Sequence, residues 1–302
     1  LAGAVGVAPA ARLDVVRTAP TPMTEGPDAF AELPPRWDAI ASPRLTARAR
    51  LAGDVAAKGS AGRYVRLPTL LELFGDRGTI RGSPALRAER GTSADLGVVW
   101  APARALGSPA GPIDRVLVEA AAFATRARDT IALISTAGFA ARAENIGGTE
   151  THGAELVASA RLARTLSVTA SVTRLVTAQR AIDPNLRGKA LPRTPGHLAY
   201  ARAELARRGA ALWLDAAIQS TAYLDQANFQ RVPARALVGA GARVPIAGGL
   251  AAALAVENLA GTRVVTIPAD RPIDEPHRTG LADLAGFPLP GRTFYLSLDW
   301  TH

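Results

Sequence analysis

Apolar and polar residues alternate at every second position along most of this chain. In the stretch LSVTASVT, the apolar residues Leu166, Val168, Ala170 and Val172 alternate with serines and threonines. On an α-helix this pattern would spread the apolar residues around the whole circumference, whereas on a β-strand it places them on one face. The pattern therefore predicts amphipathic strands with one apolar and one polar face.

Alanine-rich segments compete with this interpretation, because alanine, leucine and arginine favour helices. The segment PGHLAYARAEL places Tyr200, Arg202 and Glu204 on one side of a period of two, and alanines with Leu205 on the other. The periodicity predicts a strand here, although the composition favours a helix. We expect roughly twelve strands. They lie near residues 2–17, 43–51, 53–66, 90–101, 113–126, 149–162, 165–178, 196–207, 210–222, 230–245, 250–258 and 291–300.

The connections between these strands alternate in length. Short gaps lie around Ala52 and at residues 163–164, 208–209 and 248–249. Long gaps rich in proline, glycine and charge lie at residues 18–42, 67–89, 127–148, 179–195 and 259–290. Short turns at one end and long loops at the other are typical of an outer-membrane barrel, whereas a soluble sandwich gives no reason for the asymmetry. The predicted fold class is all-β, a transmembrane antiparallel β-barrel.

In such a barrel the apolar face contacts lipid and the polar face lines a lumen. The residues predicted to line the lumen are Arg48, Lys58, Glu155, Arg161, Arg202, Glu204 and Asp215. The final strand, GRTFYLSLDWTH, places its apolar residues at alternate positions: Phe294, Leu296, Leu298 and Trp300. We expect Trp300 to lie in the aromatic girdle at the periplasmic interface.

Composition and charge exclude several classes of function. The chain has 35 Lys and Arg against 26 Asp and Glu, a formal net charge of +9, which predicts a basic surface or lining. The arginines occur singly among alternating residues, which argues against nucleic-acid binding. The absence of cysteine excludes disulfides and thiolate metal sites. The chain begins at Leu1 and its opening lacks a basic segment, so we expect a piece of a longer protein and no signal peptide here.

Two segments have a superficial resemblance to chemical sites. VGAGARV lacks the third glycine of a dinucleotide-binding loop, and no helical pattern follows, so strand packing is the favoured interpretation. One loop gathers His277 with Asp270, Asp274 and Glu275, which could bind a metal ion, although a solvated loop explains them better. We therefore predict no catalytic site, no metal site and no cofactor, and we do not expect an enzyme.

The segment RYVRLPTLLELFGDRGTIRGSPALRAERGTSADLGVVW carries three motifs in order: Arg-x-Pro-Thr from Arg66, Glu-Leu-Phe-Gly from Glu72, and Gly-x-Pro-x-Leu-x-x-Glu from Gly82 to Glu89. Their order and spacing resemble those of TonB-dependent outer-membrane receptors. Three further stretches are similar to the same family: ENIGGTETHGAELVASARL, VENLAGTR and FPLPGRTFYLSLDW. The resemblance spans most of the chain.

This resemblance implies a barrel of about 22 strands filled by an N-terminal plug. Residues 1–302 would be the C-terminal part of the barrel, with the plug and the first strands outside this chain. The family takes up scarce ligands such as ferric siderophores, cobalamin or haem, with sugars in some branches. Haem receptors of the family tend to carry a histidine between the Arg-x-Pro and Gly-x-Pro motifs, and none lies between Arg66 and Glu89.

The implied partners are TonB, through the missing N-terminal segment, the barrel-assembly machinery, outer-membrane lipid, and a small-molecule or metal-chelate ligand, with no nucleic acid. The implied location is the outer membrane of a Gram-negative bacterium. The resemblance makes the last strand the barrel-assembly strand, formed by Phe294, Leu296, Leu298 and Trp300.

Four arginines in the predicted extracellular loops are candidates for ligand contact, because guanidinium groups bind carboxylate and phosphate well. They are Arg77, Arg81, Arg187 and Arg231. Loop solubility explains the same residues without any ligand. Two other functions stay open. A passive outer-membrane channel would share the barrel without a plug, and a soluble alanine-rich enzyme would follow from helix propensity alone.

Overall fold

The computed structural model describes residues 5–19, 34–75, 80–102, 113–135, 141–262, 282–284, 287–288 and 291–300. The strands in chain order are β1 Val5–Thr18, β2 Arg36–Ala52, β3 Val55–Arg66, β4 Ile80–Arg81, β5 Glu89–Trp100, β6 Ile113–Arg128, β7 Ile131–Ser135, β8 Ala141–Asn145, β9 Gly148–Leu162, β10 Leu166–Arg180, β11 His197–Arg207, β12 Ala210–Gln219, β13 Ala222–Tyr223, β14 Arg231–Val232, β15 Arg235–Ala247, β16 Leu250–Glu257, β17 Ala282–Leu284, β18 Phe287–Pro288 and β19 Thr293–Trp300. Helix α1 spans Leu70–Phe74, and a short 3-10 helix spans Pro184–Leu186. None of the described helices is long and apolar enough to cross a membrane.

Twelve strands form one antiparallel sheet in the order β1-β2-β3-β5-β6-β9-β10-β11-β12-β15-β16-β19. Each long strand pairs with the next long strand along the chain, so the sheet is a continuous meander. In the described part of the chain, β1 and β19 are its two edges. The twelve predicted strands are confirmed, including the alanine-rich β11, where alternation prevailed over helix propensity because the sheet supplies every backbone partner.

The register of the sheet aligns like with like across the strands. On one face, Thr169 lies opposite Arg202, which lies opposite Asp215. On the other face, Ala203 lies opposite Val168 and Leu214. We call the first the polar face and the second the apolar face. All seven residues predicted to line a lumen lie on the polar face.

Turns of two or three residues join four pairs of neighbouring strands at one end of the sheet, which we call the turn end. At residues 208–209 and 248–249 both backbone φ angles are positive: 53° and 83° at the first turn, 57° and 81° at the second. Such turns match the twist of the flanking strands. At the first predicted gap Ala52 still pairs with Val55, so the turn residues are Gly53 and Asp54. The opposite end, with the long connections, is the loop end.

The long connections are more ordered than the sequence indicated. Residues 127–148, predicted as one loop, contain the end of β6 and the hairpin β7–β8, and β4 pairs with β8 in parallel. Strand β2 begins at Arg36, before its predicted start at residue 43, because β1 pairs with it as far as Thr18. Residues 231–232, predicted as part of the tenth strand, form β14 and pair with β13.

Candidate ligand-facing site

The loop that carries the three motifs is held together by the guanidinium group of Arg66. Its Nη1 donates to both carboxylate oxygens of Glu72 at 3.0 Å each, and its Nη2 donates to the backbone oxygen of Ile131 at 3.2 Å. Its Nε lies 3.6 Å from the carboxylate of Glu89. Arg66 therefore joins the end of β3 to α1, to the start of β5 and to β7.

Helix α1 is short, and its ends are fixed by the motif residues. The Thr69 hydroxyl accepts a hydrogen bond from the Glu72 backbone N–H at 3.2 Å, and the Glu72 carboxylate accepts one from the Thr69 N–H at 2.8 Å. This reciprocal capping box begins the helix. Gly75 ends it with a φ of 74°, and a Cβ at Gly82 would lie 2.5 Å from the Phe74 carbonyl carbon. The chain can turn back here only because that side chain is absent.

Apolar residues of this loop and of the β7–β8 hairpin share a small core. Leu73 and Leu86 from the loop pack with Ile131 and Ala143 from the hairpin, and Phe74 covers them. Ala143 has no exposed surface, and Leu86 is 2% exposed. The two loops therefore fold as one unit, the loop platform, formed by residues 66–75, 80–89 and the β7–β8 hairpin.

Asn145 ties the two parts of the loop platform through its side-chain amide. Its Nδ2 donates to the backbone oxygens of Arg87 at 3.0 Å and Asp129 at 2.7 Å, and its Oδ1 accepts from the Arg87 N–H at 2.9 Å. The Arg87 guanidinium is also 2.6 Å from the Asp129 carboxylate. This asparagine belongs to the Asn-x-Gly stretch noted in the sequence.

We expect Asn145→Ala to loosen the β7–β8 hairpin by roughly 2 to 3 kcal/mol, because three hydrogen bonds worth about 1 kcal/mol each are lost. Hydrogen exchange should accelerate in residues 129–147 and leave the twelve-stranded sheet unchanged. The matched control is Asn185→Ala, since the Asn185 side chain bonds Asp183 within its own turn. Equal exchange in the two variants would contradict the role given to Asn145.

A second pair of connections is joined by buried amides. The side chain of Gln179 is fully buried, and its Nε2 donates to the backbone oxygens of Ala190 at 3.0 Å and Gln226 at 2.8 Å. The Asn228 Oδ1 accepts from the Ala190 N–H at 2.8 Å. The connection after β10 and the connection after β12 are thus packed together above the loop end.

The structure does not bring the four candidate arginines together. Arg187 donates to the backbone oxygens of Ala181 and Ile182 at 3.0 and 3.2 Å, so it closes its own loop. Arg231 is exposed in β14 and donates to the Thr221 hydroxyl at 3.1 Å. Arg77 lies outside the described residues.

Arg81 is the candidate best placed for a ligand. It is exposed in β4, and its side chain makes no hydrogen bond or ion pair with any residue that the structure describes. The parallel pairing sets it beside Arg142 of β8, whose Nε is 3.9 Å from the Glu144 carboxylate. Sequence reasoning missed Arg142, because nothing local signals that residues some 60 positions apart pair in parallel. The two arginines form a cationic edge on the loop platform.

The polar face carries charged groups that are largely compensated by one another. Near the turn end, Arg202 donates to Glu204 at 2.7 Å, lies 3.9 Å from Asp215 and stacks over the Trp213 ring at 5.1 Å. A Cβ at Gly241 would lie 2.1 Å from the Trp213 ring. The glycines of VGAGARV therefore make room for side chains lying across the face, which confirms strand packing.

A second cluster lies on the strands at the other side of the sheet. Arg44 donates to the Ser60 hydroxyl at 2.6 Å, Ser60 donates to Asp95, and Lys58 lies 2.5 Å from Glu119. Solvated ion pairs of this kind contribute about 0 to 1 kcal/mol each, so they make a hydrated lining more than a source of stability. Among the described residues no group of histidine or acidic side chains could hold a metal ion. The loop around His277 lies outside the described residues.

The last strand has the faces that the sequence indicated. Its apolar residues lie on the apolar face and are 63% to 77% exposed: Phe294, Leu296, Leu298 and Trp300. The Trp300 Nε1 donates to the backbone oxygen of Gly248, which places the indole at the turn end at 3.0 Å from that turn. Recognition of this strand by assembly machinery stays a prediction.

A two-faced antiparallel sheet of long strands, with tight turns at one end and a folded loop platform at the other, defines the wall of a membrane-type β-barrel. The sequence matches a family model described as TonB dependent receptor-like, beta-barrel, over residues 2–259. The chain belongs to this family. Proteins of the family are outer-membrane transport receptors, not enzymes.

Solved structures share this fold at low sequence identity. A structure named copper transporter OprC has a TM-score of 0.72 at 17% identity, with 98% of this chain and 45% of that chain covered. A mutant of the ferric enterobactin receptor PfeA from Pseudomonas aeruginosa has a TM-score of 0.61 at 19% identity, with 87% of this chain and 41% of that chain covered. The ferric yersiniabactin uptake receptor FyuA from Yersinia pestis has a TM-score of 0.59 at 18% identity, with 78% of this chain and 34% of that chain covered. The chain thus spans less than half of each of these proteins. A search of curated protein sequences finds no match.

Proposed function

We propose that the protein containing this chain is an outer-membrane receptor that takes up a scarce, anionic metal chelate with energy delivered through TonB. Residues 1–302 are the C-terminal part of its barrel domain. The loop platform carries the proposal, because the family-like motif residues Arg66, Glu72 and Glu89 build a rigid surface at the loop end of a barrel-type sheet. Two of the similar solved structures are named as ferric siderophore receptors, which supports a chelate as ligand.

In this function the chain supplies binding and passage, and no covalent step. The loop platform presents Arg81 and Arg142 side by side at its exposed edge, where guanidinium groups can pair with the carboxylate or phenolate oxygens of a chelate. Below it, the hydrated polar face offers a path along which a released chelate stays solvated. A plug outside this chain would close the path until TonB acts on it.

A bare copper ion is a second candidate, supported by the likeness to the structure named copper transporter OprC. Soft sulfur donors and imidazoles select copper in proteins. This chain has one methionine, no cysteine and four histidines, against a net charge of +9. A basic chain with few soft donors favours an anionic chelate over the free cation.

We expect the full-length protein, expressed in a strain lacking its own iron receptors, to take up radioactive iron from one of three chelates: a catecholate, a hydroxamate or citrate. Uptake should stop when TonB is deleted. Equal uptake with and without TonB would instead establish a passive channel. Uptake of copper salts in preference to every iron chelate would establish the second candidate.

We expect the double variant Arg81→Ala, Arg142→Ala to weaken binding of the transported chelate by about tenfold or more, because two charge-assisted contacts are lost. The control is Arg115→Ala, which removes an exposed arginine from the turn end of β6. Both variants should keep the heat-modifiable gel migration of a folded barrel. Unchanged affinity in the double variant would remove Arg81 and Arg142 from the binding site.

A further inference from the structure

Arginines occupy an unexpected place on the apolar face. The register places Arg126 of β6 opposite Thr92 and Glu150, and Arg128 opposite Arg90, all on the face that otherwise carries alanine, valine and leucine. Six exposed arginines lie on the loop-end half of this face, on strands β3, β5, β6 and β10: Arg63, Arg90, Arg126, Arg128, Arg174 and Arg180. We call this group the arginine belt.

The arginine belt lies at one end of the apolar face only. Its members are within the last four outward positions before the loop end, and Arg174 pairs with the first residue of β11. On β3, β5, β6 and β9 the middle of the apolar face carries no charged residue, and at the turn end of the described strands the paired outward positions carry Arg207 alone. Outward Trp37 marks the loop end, while Trp100 and Trp300 mark the turn end.

Bilayer physics explains this distribution. An arginine facing lipid is costly at the centre of the bilayer and inexpensive near the interface, where aromatic residues also gather. The uncharged middle of the apolar face therefore spans the hydrocarbon region of the bilayer, and the arginine belt lies at the level of the lipid headgroups. Because the loop end lies outside the cell in the proposed function, these are headgroups of the outer leaflet. The inference rests on that function.

The charge of the arginine belt is not balanced within the described protein. Glu150 is the one carboxylate among its outward neighbours, and it pairs with Arg126 at 2.7 Å and with Arg180. The side chains of the other four make no hydrogen bond or ion pair with any residue that the structure describes: Arg63, Arg90, Arg128 and Arg174. Arg90 and Arg128 even stand directly opposite each other, an arrangement that is unfavourable unless an anion lies between them.

We propose that the arginine belt binds the phosphate groups of a multiply phosphorylated lipid in the outer leaflet. Guanidinium groups recognise phosphate through paired hydrogen bonds, and phosphate is the anion found at headgroup level. Five adjacent strands extend across about 19 Å, which suits a headgroup carrying two phosphates. A depression of about 560 Å³ beside Arg126, Arg128 and Arg180 gives the headgroup a seat.

The occupant is a membrane lipid and not a soluble anion, because the arginine belt continues directly into the apolar face. On the apolar face of β9, His152, Ala154 and Leu156 come after Glu150 in the direction of the turn end. A phosphate bound by the arginines therefore has its acyl chains directed along alanine and leucine. Arg81 and Arg142, the pair proposed to contact the chelate, do not line this depression.

The test uses the full-length protein in nanodiscs of phosphatidylcholine containing bis-phosphorylated lipid A, with dephosphorylated lipid A in a second set. We expect the quadruple variant Arg63→Gln, Arg90→Gln, Arg128→Gln, Arg174→Gln to retain at least tenfold less bis-phosphorylated lipid A in native mass spectrometry. The matched control changes four arginines elsewhere: Arg48→Gln, Arg50→Gln, Arg115→Gln and Arg207→Gln. The single variant Arg128→Gln is measured beside them, in case the quadruple variant folds poorly.

Equal retention by the arginine-belt variants and the wild type would overturn the proposal, as would equal retention of the dephosphorylated lipid. Inorganic pyrophosphate is the third probe, and displacement of the lipid by it at equal concentration would show a soluble-anion site instead. Iron uptake by the same variants separates the two proposals. A receptor that loses lipid A and keeps TonB-dependent uptake supports both, whereas a folded barrel that binds lipid A without uptake fails only the transport proposal.

Discussion

Replacing Arg66 by alanine is expected to release the loop platform from the sheet. The Arg66 guanidinium contacts the carboxylates of Glu72 and Glu89, which are only 16% and 12% exposed, so its loss leaves two shielded negative charges without this cationic partner. We expect a local loss of roughly 3 kcal/mol, which corresponds to more than a hundredfold faster hydrogen exchange in residues 69–89 and 131–145. Chelate affinity should fall with it.

Arg66→Lys should recover little, because one ammonium nitrogen cannot replace three guanidinium nitrogens that contact Glu72, Glu89 and Ile131 separately. The control is Arg63→Ala. Arg63 lies three residues before Arg66 on β3, and its side chain is on the opposite face of the sheet. Exchange rates in the loop platform that are the same in Arg66→Ala and Arg63→Ala would contradict the clamp.

Placing a charge in the middle of the apolar face is expected to prevent stable insertion. Leu214 lies at the centre of β12 on this face, is 54% exposed and pairs with Ala203 and Ala240. Leu214→Arg should destabilise the barrel in liposomes by about 2 to 4 kcal/mol, the cost of arginine facing lipid at the midplane. The measurement is the urea dependence of folding of the full-length protein.

The matched control is Ala217→Arg, three residues later on the same strand and on the polar face. Water and the neighbouring charged groups solvate an arginine there, so we expect a change within about 0.5 kcal/mol. If the two variants unfold at the same urea concentration, the apolar face does not contact lipid.

The motifs that carried the family resemblance have structural roles in this chain. Thr69 and Glu72 cap α1, Gly82 permits a close backbone approach, and Arg66 fastens the result to β5 and β7. The side chains of Arg66, Thr69 and Glu72 are all engaged in hydrogen bonds within the loop platform. A family signature of this kind therefore identifies the scaffold, and Arg81 and Arg142 lie at the exposed edge of that scaffold.

Sequence alone determined the strands, their faces and most of the turns, because each depends on residues near one another in the chain. A period of two gives the face of every residue in β10 or β11 once the strand is recognised. The Arg-Gly pair at residues 208–209 marks a tight turn, because glycine readily adopts the positive φ angle that such a turn requires.

Only the tertiary structure decided which loops contact each other and which arginines lie side by side. Arg87 meets Asn145 across 58 positions, and Arg36 reaches the Leu86 backbone oxygen across 50. The arginine belt likewise collects side chains from four strands, β3, β5, β6 and β10, whose alternation follows from the sequence, while their alignment depends on register. Local pattern does not encode which distant strand a residue faces, so contacts closed by long loops and by register had to be read from the folded chain.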